Sequence, residues 1–243
     1  MAASGSNDPP KATAGDVALK IATAATKGAV SIALPGAGAV AELLDLVRTP
    51  LQRRQEDWLS DLAARLAALE EARRLDREHL GQDEAFLDAV ARGIQAAMRT
   101  GQAEKREALR NAALNIALGT TPDEGERELF LDMVERFTAW HLRLLKAFQD
   151  PGMWARVHAV LYEPAMSSTR DAFLEAAFPE LRSKSDFYSR VWSDLFQARL
   201  VNSDQLGVTA SVEAWKNRAT TILGDRFLDF IAEPVDPQIV GAP

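Results

Sequence analysis

From about residue 16 to residue 200, apolar residues recur at intervals of three and four, and the interruptions are residues that cap or break helices. That pattern constrains the fold most, because a 3.6-residue period buries one stripe of a helix and cannot be satisfied by a strand, whose faces alternate every two residues. Leu51, Trp58, Leu62, Leu66 and Leu69 form one such stripe, with an Arg/Glu-rich face opposite. Phe86, Leu87, Val90, Ile94 and Met98 form the next, and Leu109, Ala113 and Ile116 a third. The class predicted is all-α.

The punctuation sets expected limits. Thr49-Pro50 reads as an N-cap followed by the first residue of a long helix, since proline's missing amide proton does no harm in a first turn. Gly81 and Asp83 end that helix and start another, Thr100-Gly101 separates the second from the third, and Gly119 stops the third. Thr121-Pro122-Asp123-Glu124 has the spacing of a capping box and opens a helix carrying Phe130, Met133, Val134, Phe137, Leu144 and Phe148, closed by Asp150-Pro151. Residues 50–149 thus supply four amphipathic helices with short connections, the inventory of a bundle.

Beyond Pro151 the elements shorten to MWARVHAVLY, STRDAFLEAAF before Pro179, and SDFYSRVWSDLFQARL. The run from Val201 to Trp215 is poor in helix formers and reads as a small hairpin, followed by a last helix in RATTILGDRFLDFI. The organisation expected is a lead-in over 1–15, a helical bundle over 16–149 whose apolar N-terminal helix is 16–47, a small helical domain over 150–232 and a tail over 233–243. Helix, helix, hairpin, helix, with Thr221-Ile222-Leu223-Gly224 running into Phe227, Leu228 and Ile231, resembles a winged-helix domain. Arg190 and Arg199 stand against Asp186 and Asp194 there, and Lys216 and Arg218 add little, so phosphate neutralisation is poorly served and no nucleic-acid partner is expected. A net charge of −7 over 243 residues points the same way.

The chain has no cysteine, which removes disulfides, thiolate metal sites and Cys nucleophiles, and agrees with a cytoplasmic location. His79, His141 and His158 lie far apart with no second ligand at helical spacing, so no metal site is expected. Trp140, Trp154, Trp192 and Trp215 read as packing residues. Gly36-Ala37-Gly38-Ala39-Val40-Ala41 matches G-x-G-x-x-A, but the flanking strands that would make it a dinucleotide site are absent from the pattern, so no cofactor is expected and the chain does not read as an enzyme.

Residues 28–41 contain no charge. Ala25, Ala29, Ala33, Ala37 and Ala41 recur every four residues, beside a row of Gly28, Ile32, Gly36 and Val40. On one helix these rows make a face of little bulk that lets another backbone approach, although Pro35 must kink or end the helix. An ordinary alanine-rich helix packed in its own bundle is the plainer reading. From Val17 to Val47 a helix would span roughly 46 Å, longer than a hydrocarbon core of about 30 Å, with Lys20 and Lys27 able to snorkel.

The order of parts, a small-residue apolar helix followed by an Arg/Glu-rich helix and a bundle over residues 15–150, resembles the HeLo-like cell-death domains, including the bacterial Bell type. The resemblance implies a non-enzymatic effector in which the N-terminal helix, once released by the bundle, permeabilises membrane, often in defence against phage. Pro35 and the low bulk of the apolar residues depart from that pattern. The partners expected are copies of the chain, a conditional membrane contact, or another protein held by the C-terminal domain in an adaptor or regulatory role.

Overall fold

The computed structural model describes residues 37–72, 75 and 80–234. Of the small-residue rows, Ala37, Val40 and Ala41 lie in helical backbone. Ala25, Gly28, Ala29, Ile32, Ala33 and Gly36, together with Lys20, Lys27 and the lead-in, lie outside the described residues.

Among the described residues the fold is an all-α arrangement of nine helices with no strand. They are α1 (Ala37–Glu71), α2 (Glu84–Arg99), α3 (Ala103–Ala117), α4 (Glu124–Arg136), α5 (Ala139–Gln149), α6 (Pro151–Val157), α7 (Arg170–Ala177), α8 (Ser185–Gln197) and α9 (Ile222–Phe230). The described residues from Thr49 onward form one compact unit.

Several expected limits hold. Asp83 caps α2 by accepting the amides of Ala85 and Phe86 at 2.9 and 3.2 Å. Gly119 stops α3 in the left-handed region, at φ +67°, where a residue without Cβ is least strained. Asp150 caps α6 through the amide of Met153, with Pro151 in the first turn.

Three limits differ. Thr49-Pro50 does not start a helix: Pro50 lies within α1, whose backbone carries on through it, because proline's fixed φ is itself helical and the loss is one amide donor to the carbonyl four residues back. The fourth helix begins two residues later than the capping-box spacing suggested, since the cap acceptor is the Asp123 carboxylate, which takes the amide of Glu126 at 3.0 Å. That helix also does not run to Phe148. Phe137 and Thr138 are extended, at ψ 148° and 168°, and divide it into α4 and α5, so the bundle segment holds five helices rather than four.

The expected hairpin in 201–215 is also replaced. Val201 pairs with Thr220 and Ala210 with Ser168 as isolated bridges, while the Leu206 carbonyl accepts the amides of Arg170 and Asp171. The backbone groups that would close a hairpin are spent on neighbouring segments.

α3 is the central helix, with every residue from Asn111 to Ile116 buried. α1 docks through Trp58, whose indole N–H donates to the carbonyl of Arg106 at 3.0 Å. Gly93 on α2 makes room for it: a Cβ there would lie 2.2 Å from the ring. The change of texture at residue 150 falls at the α5–α6 turn, and aromatic packing runs through it, with Phe148 edge-on to both Phe173 and Trp192. At the other end Phe130 packs on Phe227 and Phe230, fixing α9 to α4. Two asparagines of α3 complete that attachment. Asn115 Nδ2 donates to the carbonyls of Phe230 at 2.9 Å and Ala232 at 3.0 Å, and Asn111 Nδ2 to that of Ile231 at 3.1 Å. The carbonyls of the last residue of α9 and of the two residues that follow it are thus satisfied by side chains from more than 110 positions away.

Candidate functional site

The break between α4 and α5 creates a groove. α4 contributes Leu129, Met133 and Arg136, spaced at four and three so that they share one face. Phe137 and His141 come from the break and the first turn of α5, Asp194 and Ala198 from the end of α8, and Leu223 from the first turn of α9. The space enclosed is about 570 Å³, within the range of sites that receive ligands.

Why α4 points an apolar residue into the groove is visible locally. Leu129, Phe130 and Leu131 are consecutive, and at 100° per residue they cannot all face the core. Phe130 and Leu131 are buried, and Leu129 remains 41% exposed.

His141 is buried at the floor of the groove, its ring stacked 4.8 Å from that of Phe137. The backbone N–H of Thr138 donates to His141 Nδ1 at 3.1 Å, in the way that Glu or Gln closes a capping box. Nδ1 therefore carries the lone pair, and the proton of the neutral ring sits on Nε2, which lies 3.5 Å from the Asp194 carboxylate. Burial pushes the His141 pKa down. Asp194 opposes this, while Lys105 and Arg190 add to it. Protonating Nδ1 would also set two N–H groups against each other at the cap. Burial thus favours the neutral ring, with its one lone pair in use at the helix cap.

Neither a protein-family model, nor a curated protein, nor a solved structure matches this chain.

Arg136 and Arg199 flank the groove, and neither has a carboxylate partner among the described residues, whereas Asp194 is paired with Arg190 at 3.0 Å. Arg199 follows the end of α8 with φ at +63°, a left-handed conformation that costs a non-glycine residue about 1 kcal/mol. Its carbonyl accepts the hydroxyl of Thr221 at 2.6 Å, which ties the strained residue to the start of α9 and sets the groove's edge.

Of the tryptophans, Trp192 is fully buried and Trp215 nearly so, while Trp140 packs on Phe178 and Phe187 with the Arg143 guanidinium 5.0 Å over its ring. No group of three or more His, Asp or Glu residues suited to a metal ion is gathered among the described residues. The groove residues come from four segments spread over 95 positions. The local signals that could have pointed to it were the Leu129-Phe130-Leu131 run and the adjacent Ile222-Leu223 pair, each with more apolar residues than one buried stripe can take.

Proposed function

We propose that this chain is a protein-interaction module without catalytic activity, and that the α4–α5–α8–α9 groove receives an amphipathic helical segment of a partner protein. One observation carries the reading: in a chain of net charge −7, a largely apolar groove is flanked by two arginines that pair with no carboxylate among the described residues, its one acidic lining residue, Asp194, being paired with Arg190. Apolar side chains of the segment lie over Met133, Phe137 and Leu223, and acidic residues flanking them meet Arg136 and Arg199. This is the helix-in-groove mode, in which buried apolar anchors supply affinity and charge selects the partner. Unlike the adaptor role expected of the C-terminal domain (150–232), this one uses a surface to which α4 and α5 of the bundle segment also contribute. The winged-helix likeness of the later helices has no nucleic-acid role in this proposal.

The test is fluorescence anisotropy of the full chain with labelled helical peptides about four turns long, bearing one Leu/Phe stripe flanked by Glu or by Lys. Saturable binding of the Glu peptide alone, lost in Leu223→Glu and weakened in Arg199→Glu, is expected. Equal binding of both peptides, or of the Glu peptide to both variants, refutes the reading.

A second reading rests on the alanine and glycine rows of residues 25–41. In it the N-terminal segment associates with membrane or with its own copies, as the cell-death resemblance implies. No helix among the described residues is long and apolar enough to cross a membrane. Dye release from anionic vesicles by the full chain, abolished by Ala33→Glu, would support it; release unchanged by that substitution, or none, would remove it.

A further inference from the structure

A second cavity, formed by the segments that replace the expected hairpin, differs from the other clefts in its charge. It encloses about 270 Å³ beside the first turn of α7 and the 203–217 segment. Among the described residues its one charged lining residue is Arg170, and no carboxylate lines it. The groove described above contains Asp194, and the clefts around Asp225, Asp57 and Glu135 hold carboxylates as well. Asp171 and Asp204 adjoin lining residues in sequence without lining the cavity.

Arg170 is partly buried, and among the described residues its guanidinium has one hydrogen-bond acceptor, the Asn202 side-chain carbonyl at 3.4 Å. Burial lowers its pKa and no acidic neighbour among the described residues raises it back, the reverse of Arg92, where surrounding carboxylates more than offset burial. A cation drawn out of water without a counter-charge is costly unless something occupies that place. Other donors share the cavity. The side-chain amides of Gln205 and Asn217 make no hydrogen bond among the described residues, and the Thr169 hydroxyl, which accepts the amide of Ala172 at 3.3 Å, keeps its own proton to give. The backbone amides of Arg170 and Asp171 are already committed to Leu206, so the guanidinium is what distinguishes the site. Leu206, Val208, Ala210 and Trp215 supply an apolar wall.

We infer that this cavity binds a short aliphatic carboxylate, with the carboxylate on Arg170 and the hydrocarbon against Leu206, Val208 and Trp215. A single guanidinium among neutral donors balances one negative charge, and its planar fork matches a carboxylate's two oxygens. The volume falls just below the usual range for drug-sized ligands, which sets the size at a few carbons. The same group could arrive as a free acid or as the carboxyl terminus of a peptide. This site is separate from the α4–α5–α8–α9 groove and stands or falls independently of it.

The experiment is an amide and indole NMR titration of the full chain with pentanoate, pentanamide, N-acetyl-glycyl-leucine and inorganic phosphate. Saturable millimolar binding of pentanoate or of the acetylated dipeptide, with shifts at the Trp215 indole and Thr169 amide and none from pentanamide, is expected. The tighter of the two carboxylates identifies the source. Arg170→Gln should weaken binding at least about tenfold, the usual worth of a charge-assisted hydrogen bond. Asn217→Asp, which places a carboxylate at the cavity lining, should do the same, and it keeps the test decisive if the first variant folds poorly. Binding of pentanamide equal to that of pentanoate, tighter binding of phosphate, affinity unchanged in a folded variant, or no saturable shift overturns the assignment.

Discussion

Replacing Asn115 with alanine removes the amide that closes the carboxyl end of α9. Its Nδ2 lies 2.9 Å from the Phe230 carbonyl and 3.0 Å from that of Ala232, with the Asp229 carbonyl at 3.4 Å. One NH₂ group has two protons, so two full bonds are at stake. At about 1 kcal/mol net for each, with a further cost of about 1 kcal/mol for a buried carbonyl left without a donor, the loss should be about 2–3 kcal/mol. Against a total stability of roughly 5–15 kcal/mol this is large, and for a domain of this size it corresponds to a fall in Tm of about 8 °C. Asn115→Asp is the sharper perturbation. It keeps the shape but turns carboxylate oxygens toward carbonyl oxygens, which raises the pKa of the new side chain in the fold. The penalty is then complete above that raised pKa and disappears below the ordinary carboxylate value of about 3.9, where the protonated group can donate again. Urea titrations of the wild type and both variants at pH 7 and at mildly acidic pH measure this, with hydrogen exchange at residues 227–232 reporting the local effect. An alanine variant within about 0.5 kcal/mol of wild type, or an Asp variant as stable as wild type at pH 7, would refute the capping role.

Other substitutions probe other joints. Gly93→Ala should cost about 1–3 kcal/mol and shift the tryptophan emission, because the added methyl displaces the Trp58 ring and with it the bond to Arg106; an unchanged spectrum and urea midpoint would contradict this. His141 is neutral in the fold, with Asp194 favouring its charged form and Lys105, Arg190 and burial opposing it. The stability this contributes is complete above the ordinary value of 6.5 and is lost as pH falls from there through the lowered value of the folded state. His141→Gln, which keeps an acceptor for the Thr138 amide, should flatten that part of the stability–pH curve. Arg92 reaches Asp88, Glu128, Asp132 and Glu135 from α2 and holds the acidic face of α4, so Arg92→Ala should cost about 1 kcal/mol in low salt and less in high salt; a salt-independent loss would point to packing instead.

Features whose cause lies within a few residues could be read before any coordinates. Asp83, Gly119 and Asp150 act where the sequence places them, because a cap or a left-handed turn is decided by local geometry. The α4–α5 break was hidden because Phe137 and Thr138 are neither glycine nor proline. The helix restarts there on a cap built by a histidine, a residue rarely counted among capping partners. Pro50 misled for the opposite reason: a strong local signal was overridden by helix on both sides. The groove and the Arg170 cavity were illegible because each joins segments far apart in the chain. His141 and Asp194 are separated by 53 positions, and nothing in either neighbourhood names the other.

The attachment of α9 has a temporal consequence. During synthesis the asparagines of α3 are made long before the carbonyls they receive, and Phe130 before Phe227 and Phe230. Until the last of these residues leaves the ribosome, the nascent chain carries two amides and an aromatic ring prepared for a segment still to come. A ribosome stalled before residue 222 would therefore present an unfinished core that chaperones could recognise, and release of α9 would be the event that closes it.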